Sequence, residues 1–84
     1  MYLYLGKNTV LREENVIGIF DLDITSSSHL TRAFLAAAEK AGNVINVSDD
    51  IPRSFLLCRE ERKNKVYLSQ MTAATLIRRA DNLW

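Results

Sequence analysis

Short apolar runs separated by polar joints set the first part of the chain. Tyr2-Leu3-Tyr4-Leu5 and Thr9-Val10-Leu11-Arg12 are extended patterns on either side of Gly6-Lys7-Asn8, which predicts a hairpin with a glycine-containing turn. Glu13-Glu14-Asn15 interrupts the pattern. Val16-Ile17-Gly18-Ile19-Phe20 then resumes it as a β-branched run, in which Gly18 marks a bulge or a close backbone approach. Three successive strands with short polar joints read as a meander.

From Ser26 to Gly42 the period changes. Leu30, Phe34, Ala37 and Ala41 recur at i, i+4, i+7 and i+11, the spacing of one helical face. Any of Ser26, Ser27 and Ser28 can cap the first turn, Lys40 suits the negative end of the helix dipole, and Gly42 suits a left-handed C′ position. Alanines at 33, 36, 37 and 38 keep the stripe thin, so Leu30, Phe34 and Leu35 are its large anchors. Thr31, Arg32 and Glu39 are assigned to the solvent face, and the helix reads as scaffold laid on a sheet.

Val44-Ile45-Asn46-Val47 is a brief strand pattern, and Ser48 to Pro52 is a loop. Ser54 to Cys58 and Val66-Tyr67-Leu68 form a second hairpin, with the charged stretch Arg59 to Lys65 as its tip and Asn64 as its turn residue. Thr72 to Asp81 is the final helix, with Ala73, Leu76, Ile77 and Ala80 on one face and Arg78 and Arg79 on the other. The order βββ–α–(β)ββ–α predicts an α+β fold. Its expected form is a small, mostly antiparallel sheet (meander plus hairpin) with a central and a C-terminal helix, one domain over residues 1–84.

Composition adds two points. A 48% hydrophobic content in 84 residues exceeds what one small core absorbs, which implies burial against further copies. The single cysteine, Cys58, excludes an internal disulfide and fits a reducing compartment. No apolar run reaches a membrane span and no signal-like start is present, so a cytoplasmic protein is expected.

The net charge of +1 conceals an asymmetry. Lys7 and Arg12 face Glu13, Glu14, Asp21 and Asp23 in the first part. Arg32 and Lys40 face Glu39, Asp49 and Asp50 in the middle. From Arg53 onward the basic residues Arg53, Arg59, Arg62, Lys63, Lys65, Arg78 and Arg79 outnumber Glu60, Glu61 and Asp81. A polyanion would therefore be met by the last third, although a solvated hairpin tip accounts for Arg59 to Lys65 as well.

The most catalytic-looking string is Ile19-Phe20-Asp21-Leu22-Asp23-Ile24-Thr25. It resembles the nucleophile motif of haloacid-dehalogenase-type phosphotransferases. That chemistry also needs a lysine, a hydroxyl residue and further magnesium-binding acids on a parallel sheet with crossover helices. A meander followed by one good helix does not build that frame, even with Asp49-Asp50 nearby. The same string fails as a calcium loop, because Ser26 replaces the turn glycine and Arg32 stands where the bidentate glutamate belongs. One histidine and one cysteine are too few for a soft-metal site. His29 suits a surface or capping role. Cys58 beside Arg59 is either a reactive thiol or a small core hydrophobe. No enzyme, metal or cofactor is expected.

Met1-Tyr2-Leu3-Tyr4-Leu5-Gly6, Val16-Ile17-Gly18-Ile19-Phe20-Asp21, Pro52-Arg53-Ser54-Phe55 and Val66-Tyr67-Leu68-Ser69, in this order, resemble the extracellular matrix regulatory protein B (RemB) family, a relative of RemA. The resemblance runs from Met1 to about Arg79. It implies a small bacterial cytoplasmic protein; the RemA branch forms ring-shaped homo-oligomers that bind DNA on their outer rim and activate biofilm-matrix genes. The chain departs from the RemA pattern in two places. Asn15 stands where that pattern has a basic residue before the third strand. Asp50 and Ile51 stand where it has an arginine pair in the loop before the fourth main strand, so that only Arg53 is basic in that neighbourhood.

Together with these readings, the resemblance implies a DNA-associated, homo-oligomeric transcriptional regulator, and the resemblance alone supplies biofilm extracellular matrix genes as its target. Arg53 is the first candidate for a phosphate contact on double-stranded DNA, followed by Arg32, Arg78 and Arg79. The alternative is an oligomeric scaffold or partner-binding protein without DNA affinity. In either case the monomer is not the expected functional unit. Large apolar residues at both ends, Tyr2 to Leu5 and Leu83-Trp84, place the N-terminal strand or the final helix at the subunit contact of a cyclic assembly.

Overall fold

The computed structural model describes residues 2–22, 29–48 and 50–81. The serines expected to cap the central helix, Asp23, Thr25, Asp49 and Leu83-Trp84 lie outside the described residues. Strands β1 (Tyr2–Gly6) and β2 (Thr9–Arg12) are followed by a single 3-10 turn, Glu13–Asn15, and by β3 (Val16–Asp21). Helix α1 (His29–Lys40), β4 (Val44–Asn46), β5 (Ser54–Glu60), β6 (Lys63–Ser69) and α2 (Ala73–Asp81) complete the order. The fold is α+β, with one two-stranded and one four-stranded sheet.

The first hairpin forms as expected. Leu3 lies opposite Leu11 and Tyr4 opposite Val10, and the chain reverses through Lys7 and Asn8, both at positive φ. The meander does not form. Chain reversal from β2 into β3 needs a tight turn, but Glu13–Asn15 coils into a 3-10 turn instead and sends β3 into the other sheet. There it pairs antiparallel with β5, Phe20 opposite Phe55 and Asp21 opposite Ser54. The four-stranded order is β3-β5-β6-β4. β4 pairs parallel with β6, Val44 opposite Val66, so β3 and β4 are parallel edge strands, and parallel strands need a crossover. Helix α1 lies in that connection.

Alternation along β5 divides the sheet into two faces. Leu56 and Cys58 point to one, where the β1–β2 hairpin contributes Leu3, Leu5 and Leu11, and α2 contributes Leu76, to a common buried cluster with Tyr67 and Val47. Ser69 Oγ donates to Leu5 O at 3.0 Å and ties hairpin to sheet. Phe55 and Leu57 point to the other face, where the Phe55 ring stacks on Phe20 with centroids 4.9 Å apart. Gly18 makes that stack possible: a Cβ there would sit 2.7 Å from the Phe20 ring. The register also shifts between Val16 and Gly18, so this glycine marks both a bulge and a close approach.

Helix α1 ends as its sequence requires. Gly42 has φ +76, its N–H donates to Glu39 O at 3.0 Å and that of Asn43 to Ala38 O at 2.9 Å, which is the Schellman pattern. Its orientation differs from the expected one. Thr31, Leu35 and Ala38 are half-buried while Ala37 and Ala41 are exposed; Leu30 is 79% and Phe34 41% exposed. As the crossover between the two sheet edges, α1 is seated by its position over the sheet, and the apolar stripe is turned about a quarter turn to the side. In α2, Thr72 caps the first turn through Thr75 N–H at 3.2 Å. Ala73 and Leu76 are buried, but Ile77, assigned to the same face, is exposed. The second hairpin is longer than expected: Arg59, Glu60 and Lys63 to Lys65 are paired strand residues. The turn is Glu61-Arg62, both at positive φ, and Asn64 lies in the strand instead.

Candidate nucleic-acid interface

Arg53 is positioned by backbone on both sides. Its N–H donates to Ser69 O at 2.8 Å, and its carbonyl accepts from Leu22 N–H at 3.0 Å, so it continues the sheet one step beyond β5. The preceding loop is stiffened by short polar side chains. Ser48 N–H donates to Asn46 Oδ1 at 2.8 Å, Asp50 N–H to Ser48 Oγ at 3.2 Å and Ile51 N–H to Asp50 Oδ1 at 2.7 Å, while Ser48 Oγ donates to Asp50 O. The Arg53 side chain is exposed and borders an open polar recess of about 570 Å³ with Asp50, Ile51 and Gln70. The Asp50 carboxylate lowers the positive potential of that recess.

The other expected cations do not join Arg53. Arg32 is exposed in the first turns of α1, on the Phe55 side of the sheet. Arg78 and Arg79 are exposed on α2, on the Leu56 side. Arg79 lies 5.9 Å from the centre of the Tyr4 ring and sends Nη1 to 3.8 Å from Met71 Sδ. The four arginines are thus spread over both faces and one end of the sheet. Elsewhere the basic surplus is partly neutralised: Lys65 pairs with Glu60 at 3.3 Å and Arg12 with Glu14 at 3.1 Å, and Arg59 donates to Asn64 Oδ1 at 3.2 Å.

The residues weighed for catalysis have structural settings. Asp21 ends β3 opposite Ser54, and His29 is exposed at the start of α1. Cys58 is fully buried in the core, and burial together with the nearby Glu60 carboxylate pushes its thiol from 9.0 up to about 12. It is a core hydrophobe rather than a reactive thiol. Tyr67 OH donates to Glu60 Oε1 at 2.9 Å; burial first, then that bond, push the phenol upward. Among the described residues no three His, Cys, Asp or Glu side chains converge as metal ligands, and no helix is long and apolar enough to cross a membrane.

Sequence reasoning missed an apolar groove of about 340 Å³ beside α1, lined by Phe20, Leu30, Thr31, Phe34, Phe55 and Leu57. The signal was present in Leu30 and Phe34, large residues on an otherwise alanine-rich helix. No protein-family model matches the chain, and no curated protein matches it.

Proposed function

We propose that the protein is a homo-oligomeric, DNA-associated transcriptional regulator without catalytic activity, acting in the cytoplasm on biofilm-matrix genes as the RemA and RemB resemblance implies. The observation that carries the reading is Arg53: its backbone is fixed on both sides, its side chain is exposed, and it has no ion-pair partner among the described residues. One such cation contributes little to DNA affinity, but a ring repeats it in every subunit, and the contacts then act together. Arg32, Arg78 and Arg79 are secondary, since no single face of one subunit presents all of them. Titration of double-stranded DNA at two salt concentrations tests this. Affinity is expected to fall as salt rises, and Arg53→Ala to weaken binding and flatten the salt dependence. An intact oligomer that leaves DNA unbound at low salt would overturn it.

The spread of cations over both faces and the placing of Asp50 beside Arg53 favour a second reading, an oligomeric scaffold without DNA affinity. That result of the titration is its signature.

A further inference from the structure

The groove beside α1 leaves the β3–β5 part of one side of the four-stranded sheet uncovered among the described residues. We propose that it is a contact between two copies of the chain, in which α1 of each copy lies beside α1 of the other, between the two sheets. The inference rests on the reading that the chain self-associates and is independent of DNA binding.

The spacing of the sheet fits a helix. Helix α1 packs over β6, while the groove is floored by Phe55 and Leu57 of β5 and Phe20 of β3. Strands lie about 4.8 Å apart, so β3 is about 10 Å across from β6. Packed helices lie about 8–10 Å apart. One further helix beside α1 therefore falls over β3 and β5.

The helix that fits is α1 itself. Leu30, Phe34, Ala37 and Ala41 repeat at steps of four, three and four, the seam spacing of a two-stranded coiled coil, and all are exposed. The flanking positions are Thr31, Ala33, Ala38 and Lys40; Arg32 and Glu39 fall on the far side, so no carboxylate is drawn into the seam. Helix α2 is already committed to the opposite face through Leu76 and Ala80.

Symmetry fixes the arrangement. A two-fold axis along the helices turns the second sheet over onto the first and brings seam to seam. An axis perpendicular to the sheet would drive both sheets into one space. The contact is isologous, with the helices parallel and each seam residue meeting its own counterpart. The exposed parts of Leu30, Phe34 and Phe20 amount to about 300 Å² of apolar surface per copy. A standard contact takes about 800 Å² per partner, a little over half of it apolar. More than half of the apolar area is therefore present before Leu57 and the alanines contribute.

The experiment combines sedimentation of the full chain with oxidative cross-linking. Wild-type protein is expected at a multiple of 9.6 kDa, and Leu30→Glu with Phe34→Glu at half that mass or less, with an unchanged circular dichroism spectrum. Ala37→Cys is expected to give a disulfide-linked dimer on mild oxidation, with the buried Cys58 silent. A charged double variant that folds and keeps the wild-type mass overturns the groove contact and leaves the proposed function standing, as does a folded Ala37→Cys protein that fails to cross-link while still assembled. A wild-type monomer overturns the groove contact together with the assembly half of the proposed function, and DNA titration of that monomer reads the other half.

Discussion

Two residues show how closely the sheet is fitted. Gly18 has room for no Cβ while Phe20 keeps its stack on Phe55, because the added atom would lie 2.7 Å from the ring. Gly18→Ala is expected to cost about 1–3 kcal/mol, the usual range for overpacking. In a Phe20→Leu background most of that cost should vanish, which a double-mutant cycle by urea denaturation reads directly. An equal cost in both backgrounds would refute the steric account. Cys58 gives a prediction in pH. Above 9.0 the thiol of the unfolded chain ionises, whereas the folded protein holds the proton to about 12. The unfolded state then binds fewer protons, so stability is full below 9.0 and falls as pH rises toward about 12. The upward shift of Tyr67 acts in the same direction. Guanidinium midpoints measured across this window should fall less steeply in Cys58→Ala than in wild type; parallel curves would count against the thiol as a cause.

At the scale of elements, both hairpin turns place non-glycine residues in left-handed backbone. Lys7 and Asn8 have φ 47 and 60, and Glu61 and Arg62 have φ 49 and 69. Such two-residue turns favour Asn-Gly. Glu61→Asn with Arg62→Gly is expected to stabilise the fold by about 1 kcal/mol, read as a higher midpoint at unchanged m-value. A lower midpoint would show that contacts of the native pair outweigh the backbone strain.

The same turn shows what the sequence could and could not disclose. Short apolar runs located the six described strands, and helical periodicity located both described helices, because these signals are local; Gly42 closes α1 and Thr72 opens α2 through their own neighbours. Pairing is not local. Nothing between Glu13 and Asn15 announces that β3 will leave β2 for β5. The rotation of α1 follows from where the crossover lies, and periodicity alone could not orient Leu30 and Phe34. The candidate site was legible as single residues but not as a place, since Arg32 and the Arg78-Arg79 pair are separated by a sheet whose order the sequence does not spell out.

The whole molecule poses a problem of closure. An isologous contact through α1 ends at two copies, and a ring needs a second surface of a different kind. The outer side of the β1–β2 hairpin offers one. Tyr2, Tyr4 and Val10 are 63%, 45% and 53% exposed there, Tyr2 pairs across from Arg12 and Tyr4 from Val10, and Arg79 rests over Tyr4. This face lies on the Leu56 side of the sheet, and the groove lies on the Phe55 side. The two surfaces thus point away from each other, and neither blocks the other. A contact at the hairpin would extend an assembly that the groove alone cannot. Tyr2→Ser with Tyr4→Ser is therefore expected to leave a particle of about twice 9.6 kDa, and the groove variant a particle held together by the hairpin contact alone. If DNA affinity depends on repeated Arg53 side chains, the smaller tyrosine-variant particle should bind DNA more weakly than wild type at equal chain concentration, although Arg53 is untouched. Sedimentation and DNA titration of the same samples decide the matter: a tyrosine variant with wild-type mass would remove the hairpin from the assembly, and one of reduced mass with undiminished affinity would show that multivalency has no part in binding.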